Sequence, residues 1–276
     1  MNSLWLAIAF AIFMWWFSTG LVLLLDTLPR KTFRWSLLLS SLLSVAALVG
    51  LAHTAQQESL AAAYCAFTCA LLVWGWHELT FLTGTITGPR RTPLPAGAQG
   101  WSRFKASVEA ILWHELAILA VGIFIVAITW GAPNQVGTAT FVLLWVMRIS
   151  AKLNLYLGVR NLSEEFLPQH LAYMGSYFRR RRMNALLPWS VLGGSAAVTW
   201  LAAAALAPQA SPAQAVGHTL VATLLVLAVV EHLMLVLPLN PTALWKWAMR
   251  KHDPVSETPA PPSSGRAQDN PLLPAR

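Results

Sequence analysis

The residues best equipped for chemistry are imidazoles and carboxylates in adjacent pairs: His77–Glu78, His114–Glu115 and Glu231–His232. Two cations, Arg148 and Lys152, stand four apart in a further apolar run. All eight lie inside long apolar stretches, where an ionisable side chain costs several kcal/mol on insertion scales and needs a partner or a function. Both groups together can pair with cations, ligate a metal or pigment magnesium, or relay protons. Three readings stay open. The carboxylates could pair with Arg148 and Lys152 and hold helices together. His114, Glu115, Glu231 and His232 could ligate a metal ion, as carboxylate and histidine ligands do on neighbouring helices of di-iron proteins. Finally, His114, His232 or His77 could ligate the magnesium of a chlorophyll-type pigment, or the site could hold a quinone or lipid headgroup. The metal reading is loose, because no Glu-x-x-His spacing occurs and adjacent residues point about 100° apart on a helix.

Other chemistries find no support in the residues. Ser18, Thr19 and Ser163 have no His–Asp context for a nucleophile. The stretch FLTGTITGPRR lacks the lysine of a phosphate loop. Cys65 and Cys69 share a helix face and read as small packing residues. A net charge of +8 would suggest nucleic acid in a soluble protein, but no nucleic-acid motif accompanies it.

The elements that must position these residues are membrane helices. Hydrophobic residues make up 56% of the 276 and charged ones 11%, too few to cover a soluble domain. Continuous apolar runs without a period of two favour helices over a barrel. Seven stretches reach the roughly 20 residues that a 30 Å hydrocarbon core requires. They run approximately 3–25, 35–53, 60–82, 108–130, 136–158, 185–207 and 215–238, all within one domain over 1–240. The first is read as a spanning helix, since MNSLWLAIAF lacks a basic n-region. The Pro- and Ser-rich segment 253–276 is expected to be a disordered tail.

Loop charge orients the bundle. Arg30, Lys31 and Arg34 follow the first helix, Arg90, Arg91, Arg103 and Lys105 the third, and Arg160 and Arg179 to Arg182 the fifth. The alternate loops, near Gln56, Asn134 and Gln209, carry no Lys or Arg. The positive-inside rule then puts the N-terminus in the periplasm and the C-terminus in the cytoplasm. By rise per residue, Glu78 lies roughly 6 Å, Glu115 and Glu231 roughly 10 Å and Arg148 roughly 15 Å from the cytoplasmic helix ends. The matching depths, and the short loop between their helices, predict that Arg148 meets Glu115. The common depth also predicts one cavity, with Glu164, Glu165 and His170 of the 160–183 loop near its mouth. In that loop Leu167, Leu171, Met174 and Phe178 follow helical spacing, which predicts a short helix in the cytoplasmic interface or a docking surface.

Four segments carry a resemblance: WWFSTGLVLLLDTLPRKTFRWS from Trp15, WGWHELTFLTGTITGPRR from Trp74, HELAIL from His114, and NLYLGVRNLSEEFLPQHLAYMGSYFRRRRMNALLPWSV from Asn154. Together they resemble the photosynthetic complex assembly protein family (PuhE type) of phototrophic purple bacteria, over most of the chain up to about Pro241. The resemblance implies an integral protein of the photosynthetic inner membrane. It implies a role in building the reaction centre and its core light-harvesting complex, or in controlling bacteriochlorophyll supply. The implied partners are reaction-centre or light-harvesting subunits within the lipid bilayer. It carries over no catalytic residues. The alternative class is a metal-dependent membrane enzyme acting on a tetrapyrrole, carotenoid or quinone.

Overall fold

A computed structural model describes residues 2–238 and 241–249. The expected disorder of 253–276 lies outside the described residues. Among those described, seven helices are long and apolar enough to cross a membrane: α1 Asn2–Asp26, α2 Phe33–Ala55, α3 Leu60–Leu82, α4 Gly100–Ile128, α5 Val136–Leu157, α6 Leu186–Ala205 and α7 Pro212–Met234. The protein is all-α, as its apolar pattern requires. Helix starts follow local chemistry. Ser59 caps α3 by accepting from the Ala62 amide, and Ser211 with Gln214 closes a capping box ahead of Pro212 on α7.

Helix α4 begins at Gly100 rather than near 108. Its first turns, WSRFKASV, are too polar for a hydropathy window, and tertiary contacts support them. Arg103 donates to the carbonyls of Tyr156 and Tyr177, and its guanidinium lies 3.9 Å from the centroid of the Tyr156 ring.

Three helices make the centre: α3, α5 and α7 touch one another. Helix α1 packs on α3 and α7, α2 on α3, α6 on α7, and α4 on α3 and α5. Small residues on α3 (Ala62, Ala63, Ala66 and Ala70) are buried and let neighbours approach closely. Phe67 on α3 packs with Ala7 and Ala11 of α1 and Leu220 of α7. Cys69 belongs to this packing too, its sulfur lying where a Cβ on Gly50 would crowd it.

The basic end of the bundle is closed by protein. Segment 158–185 forms 3-10 turns at Glu164–Phe166 and Gln169–Tyr177. Leu171 and Met174 are buried against Leu23, Phe81, Leu82 and Trp245. Tyr177 packs on Ala106 and Ala110 of α4, donates to the Thr92 carbonyl, and accepts from Arg90. The amphipathic helix expected in the lipid interface is therefore a cap whose apolar side meets the bundle. Beyond α7 the chain turns back. The Trp245 indole donates to the Trp16 carbonyl, and the Trp16 indole to that of Leu244.

The α3–α4 loop runs along α4 beside the sequence-predicted site. The Arg90 amide donates to Glu109 O, and the His114 amide to Thr87 O at 2.8 Å. A Cβ on Gly88 would fall 2.0 Å from Glu109 O, a backbone atom that cannot swing aside. Gly88→Ala is expected to force this loop off α4 and lower the melting temperature of the purified protein by more than the few degrees of an ordinary surface change. A thermal scan monitored by size-exclusion chromatography checks this, and an unchanged midpoint would refute the contact.

Candidate functional site

Helix α5 supplies both intramembrane cations, and they face different helices. The Arg148 guanidinium donates to Glu78 of α3 at 3.1 Å. Lys152 donates to Glu115 Oε1 of α4 at 2.5 Å, and the Trp145 indole donates to Glu115 Oε2 at 3.3 Å. The predicted Arg148–Glu115 pair is thus replaced by Arg148–Glu78 and Lys152–Glu115. Depth was a sound guide to which residues meet in a layer, but azimuth decides partners. At 100° per residue, Trp145 and Lys152 lie within about 20° of each other, toward α4, while Arg148 is turned about 40–60° away from both, toward α3.

Glu231 of α7 accepts from the Trp15 indole of α1 at 2.9 Å. It lies within electrostatic reach of Arg148 and Glu78. The layer therefore joins α1, α3, α4, α5 and α7. It holds three carboxylates (Glu78, Glu115 and Glu231) and two cations (Arg148 and Lys152). Among the described residues Glu231 has no ion-pair partner, and its side chain is exposed.

The histidines divide. His77 and His114 are neighbours, their ring centroids 6.4 Å apart, and their exposures are 0% and 1%. Phe141 flanks His77 at 5.9 Å and Phe81 flanks His114 at 4.5 Å. Both ring nitrogens of His77, and Nδ1 of His114, have no hydrogen-bond partner among the described residues. Buried polar atoms usually have partners, so these three imidazole nitrogens keep hydrogen-bonding capacity that the described residues leave unused.

His232 turns away from them. Its Nδ1 bonds Ala228 O at 2.8 Å, and its Nε2 bonds the Ser150 hydroxyl at 2.9 Å. Ser150 also donates to Ser190, Ser190 accepts from Asn154 and donates to Leu186 O, and Asn154 Oδ1 accepts from the Asn184 amide. The chain ties α7, α5 and α6. Sequence reasoning flagged His232 but missed its Ser and Asn partners because they carry no charge, although Ser150 and Asn154 sit four apart in an apolar helix.

The loop residues are placed differently from expectation. His170 Nε2 donates to Leu82 O at 2.8 Å, closing the last turn of α3. Burial pushes its imidazole below its ordinary range, and the Leu82 bond pulls the other way. Glu164 and Glu165 are exposed on the Glu164–Phe166 turn. Among the described residues no three of His, Cys, Asp and Glu converge in a way that could hold a metal ion. His114, Glu115, Glu231 and His232 are not brought together as one ligand set: Glu115 is held by Lys152 and Trp145, Glu231 by Trp15, and His232 by Ser150 and Ala228.

Fold and site define a seven-helix membrane protein organised around an intramembrane layer of ion pairs. A family model described as "Protein of unknown function (DUF3623)" matches residues 1–256, and the chain belongs to that family. It is also 37% identical over 274 residues to the "Uncharacterized 30.4 kDa protein in puhA 5'region" of Rhodobacter capsulatus, covering 96% of this chain and 98% of that one. No solved structure matches.

The pairing makes a sharp expectation. Glu78→Leu or Arg148→Leu alone leaves an unpaired charge within the span, at a cost of about 2–3 kcal/mol on insertion scales. Membrane accumulation of either variant should fall steeply. The double variant E78L/R148L should recover most of it, whereas E115L/R148L should not. Quantitative blotting of membranes checks this; recovery by the second double variant would reinstate the Arg148–Glu115 pairing.

Proposed function

We propose that the protein is a membrane-integral assembly factor for the bacterial photosynthetic reaction centre and its core light-harvesting complex. Its work is to hold a bacteriochlorophyll or an assembling subunit within the inner membrane. The observation that carries this reading is the end-to-end similarity to the Rhodobacter capsulatus protein whose name places it in the puhA 5' region. The resemblance of the four segments to photosynthetic complex assembly proteins agrees with it. On the structural side, the reading draws on His77 and His114, whose buried ring nitrogens lack partners. Neutral imidazole nitrogen is a suitable axial ligand for a pigment magnesium. Phe81 and Phe141 pack directly on these imidazoles, so a pigment would reach them only by opening that packing. Such a ligand needs one nitrogen, so the lack of a converged metal ligand set does not bear on it.

In this reading the end bearing Arg30, Arg90 and Arg180 faces the cytoplasm, following loop charge. Reporter fusions decide it. A fusion at Gln209 should be active only as a periplasmic reporter, and one at Arg180 only as a cytoplasmic reporter. The reverse result would invert the protein.

The functional test is deletion of the gene in its phototrophic host. Near-infrared absorption of isolated membranes should show a several-fold loss of core-complex pigment per unit membrane protein, restored by the wild-type gene. His77→Leu and His114→Leu should insert and accumulate normally yet fail to restore it. Undiminished core complex after deletion would overturn the assembly role. Restoration by both histidine variants would remove the imidazoles from it.

A further inference from the structure

Helices α1, α3, α5 and α7 repeat one pattern as they reach the charged layer. Each presents two buried residues four apart and then, seven positions after the second, a polar one: Ala7, Ala11 and Ser18; Phe67, Leu71 and Glu78; Gly137, Phe141 and Arg148; Leu220, Leu224 and Glu231. At 100° per residue each polar side chain stands within about 20° of both residues before it, so all four point to the bundle interior. The preceding level is closed: Ala7, Phe67, Phe141 and Leu220 are 0% exposed. Further along the same faces the interior is open. Glu231 is exposed, Arg148 keeps 41% of its side chain exposed, and Ser18 and Glu78 are partly exposed. The lipid-facing stripe of α7, Val226, Val230 and Leu233, lies about 100° or more round from Glu231, so lipid does not account for its exposure. Small residues make the room. Ser18 is one, and at Gly75 an added Cβ would meet nothing nearer than Val22 Cγ2 at 3.9 Å. The four helices thus leave a hollow inside the bundle, lined by Ser18, Gly75, Glu78, Arg148 and Glu231, with the Trp15 indole on Glu231.

We propose that this hollow is a proton-binding site, with Glu231 as the carboxyl that gains and loses the proton. Charge count selects the occupant. Arg148 neutralises Glu78 and Lys152 neutralises Glu115, which leaves Glu231 as the layer's one carboxylate without a counter-charge among the described residues. A negative charge within the span calls for compensation. A metal ion or an ammonium would lie beside the Arg148 guanidinium and be repelled by it. It would also find only two carboxylates and the Ser18 hydroxyl, short of the six or more oxygens that a hard divalent ion takes. A proton needs neither room nor further ligands. It neutralises Glu231 in place, and the Trp15 indole can donate to Oε1 of the acid as it does to the anion. The groups that face Glu231 are few. On α3 and α5 they are Glu78 and Arg148, whose charges oppose one another. Helix α1 carries one charged residue, Asp26, eleven positions beyond Trp15, and α6 carries none. His77 faces His114, Lys152 faces Glu115, and His232 bonds Ser150. In the cap His170 is held by Leu82 O while Glu164 and Glu165 are exposed, as is Lys246 on the returning segment. This inference does not depend on the assembly role proposed above.

The test uses the full wild-type chain in phosphatidylcholine nanodiscs, treated with dicyclohexylcarbodiimide. This apolar reagent adds to a protonated carboxyl inside a membrane protein and leaves a stable N-acylurea. Peptide mass mapping then locates the adduct. The expected result is one adduct, on Glu231, whose yield rises several-fold as the buffer is taken from mildly alkaline to mildly acidic. Infrared difference spectra over the same pH range should show a carbonyl band of a protonated carboxyl growing as pH falls. The band should shift when deuterium oxide replaces water, and Glu231→Gln should remove both the band and the adduct. An adduct on Glu78 or Glu115 instead, a yield indifferent to pH, or a band that deuterium oxide does not shift would overturn the inference. So would the lack of both adduct and band. Exchanging choline for sodium or ethylammonium at fixed pH and ionic strength should leave the yield unchanged. Protection by either would overturn the proton as occupant and assign the hollow to a cation. Location and titration are both read on wild-type protein, so the inference stays exposed even if Glu231→Gln fails to accumulate.

Discussion

The Arg148–Glu78 pair is the contact on which the rest of the bundle depends. Helices inside lipid gain little from apolar contact with each other, because lipid chains offer the same apolar surface. Charges are different, since neither partner can be left alone in a low dielectric without a penalty of several kcal/mol. Arg148 binds α5 to α3, and Lys152, one turn along the same helix, binds α5 to α4. One helix thus addresses two neighbours through residues about 40° apart in azimuth. The Trp15–Glu231 bond brings α1 and α7 into the same layer. Packing of small residues on α3 then works within a geometry that electrostatics has already narrowed.

Hydrogen bonds rank below the ion pairs. Side-chain hydrogen bonds between membrane helices average about 0.6 kcal/mol, because the separated helices also find partners. The chain from Asn184 through Asn154, Ser190 and Ser150 to His232 is worth more as alignment than as energy. Ser150, Asn154 and Ser190 bond one another across α5 and α6, so a rotation of α6 against α5 breaks several bonds together. Asn184 also accepts the amides of Leu186 and Leu187, so the same side chain that ends the network starts α6. Helix start and interhelical register are set by one residue.

The spans were legible because hydropathy acts on each helix separately, and only the polar extension of α4 escaped it. The layer of charges was legible for a related reason: a charged residue in an apolar run declares itself whatever its surroundings. Partner choice was not. It depends on which neighbour each face of α5 meets, a property of the assembled bundle. His170 shows the same limit from the opposite side. Its sequence neighbours, Glu164 and Glu165, suggested a polar mouth, while its ring closes the end of α3 on Leu82. The return of Trp245 to α1 is also tertiary, since nothing local to Pro241–Trp245 specifies a partner more than 200 residues away.

The charge count makes the layer asymmetric. On the α4 side Glu115 has both oxygens occupied, by Lys152 and Trp145, and the pair is mostly enclosed. Toward α1 and α7, Glu231 is exposed with one indole bond, and Arg148 keeps 41% of its side chain exposed while bonded to Glu78. Exposure of this kind inside a bundle has a cost unless polar groups or water reach it. Two further unpartnered atoms, Glu78 Oε1 and Arg148 Nε, lie buried beside it. The enclosed half is satisfied by the protein itself and so behaves as scaffold. The open half keeps hydrogen-bonding capacity that the described side chains leave unused. A layer built only to hold helices together would gain by closing both halves alike, so the open half is where selection for stability alone gives the weaker account.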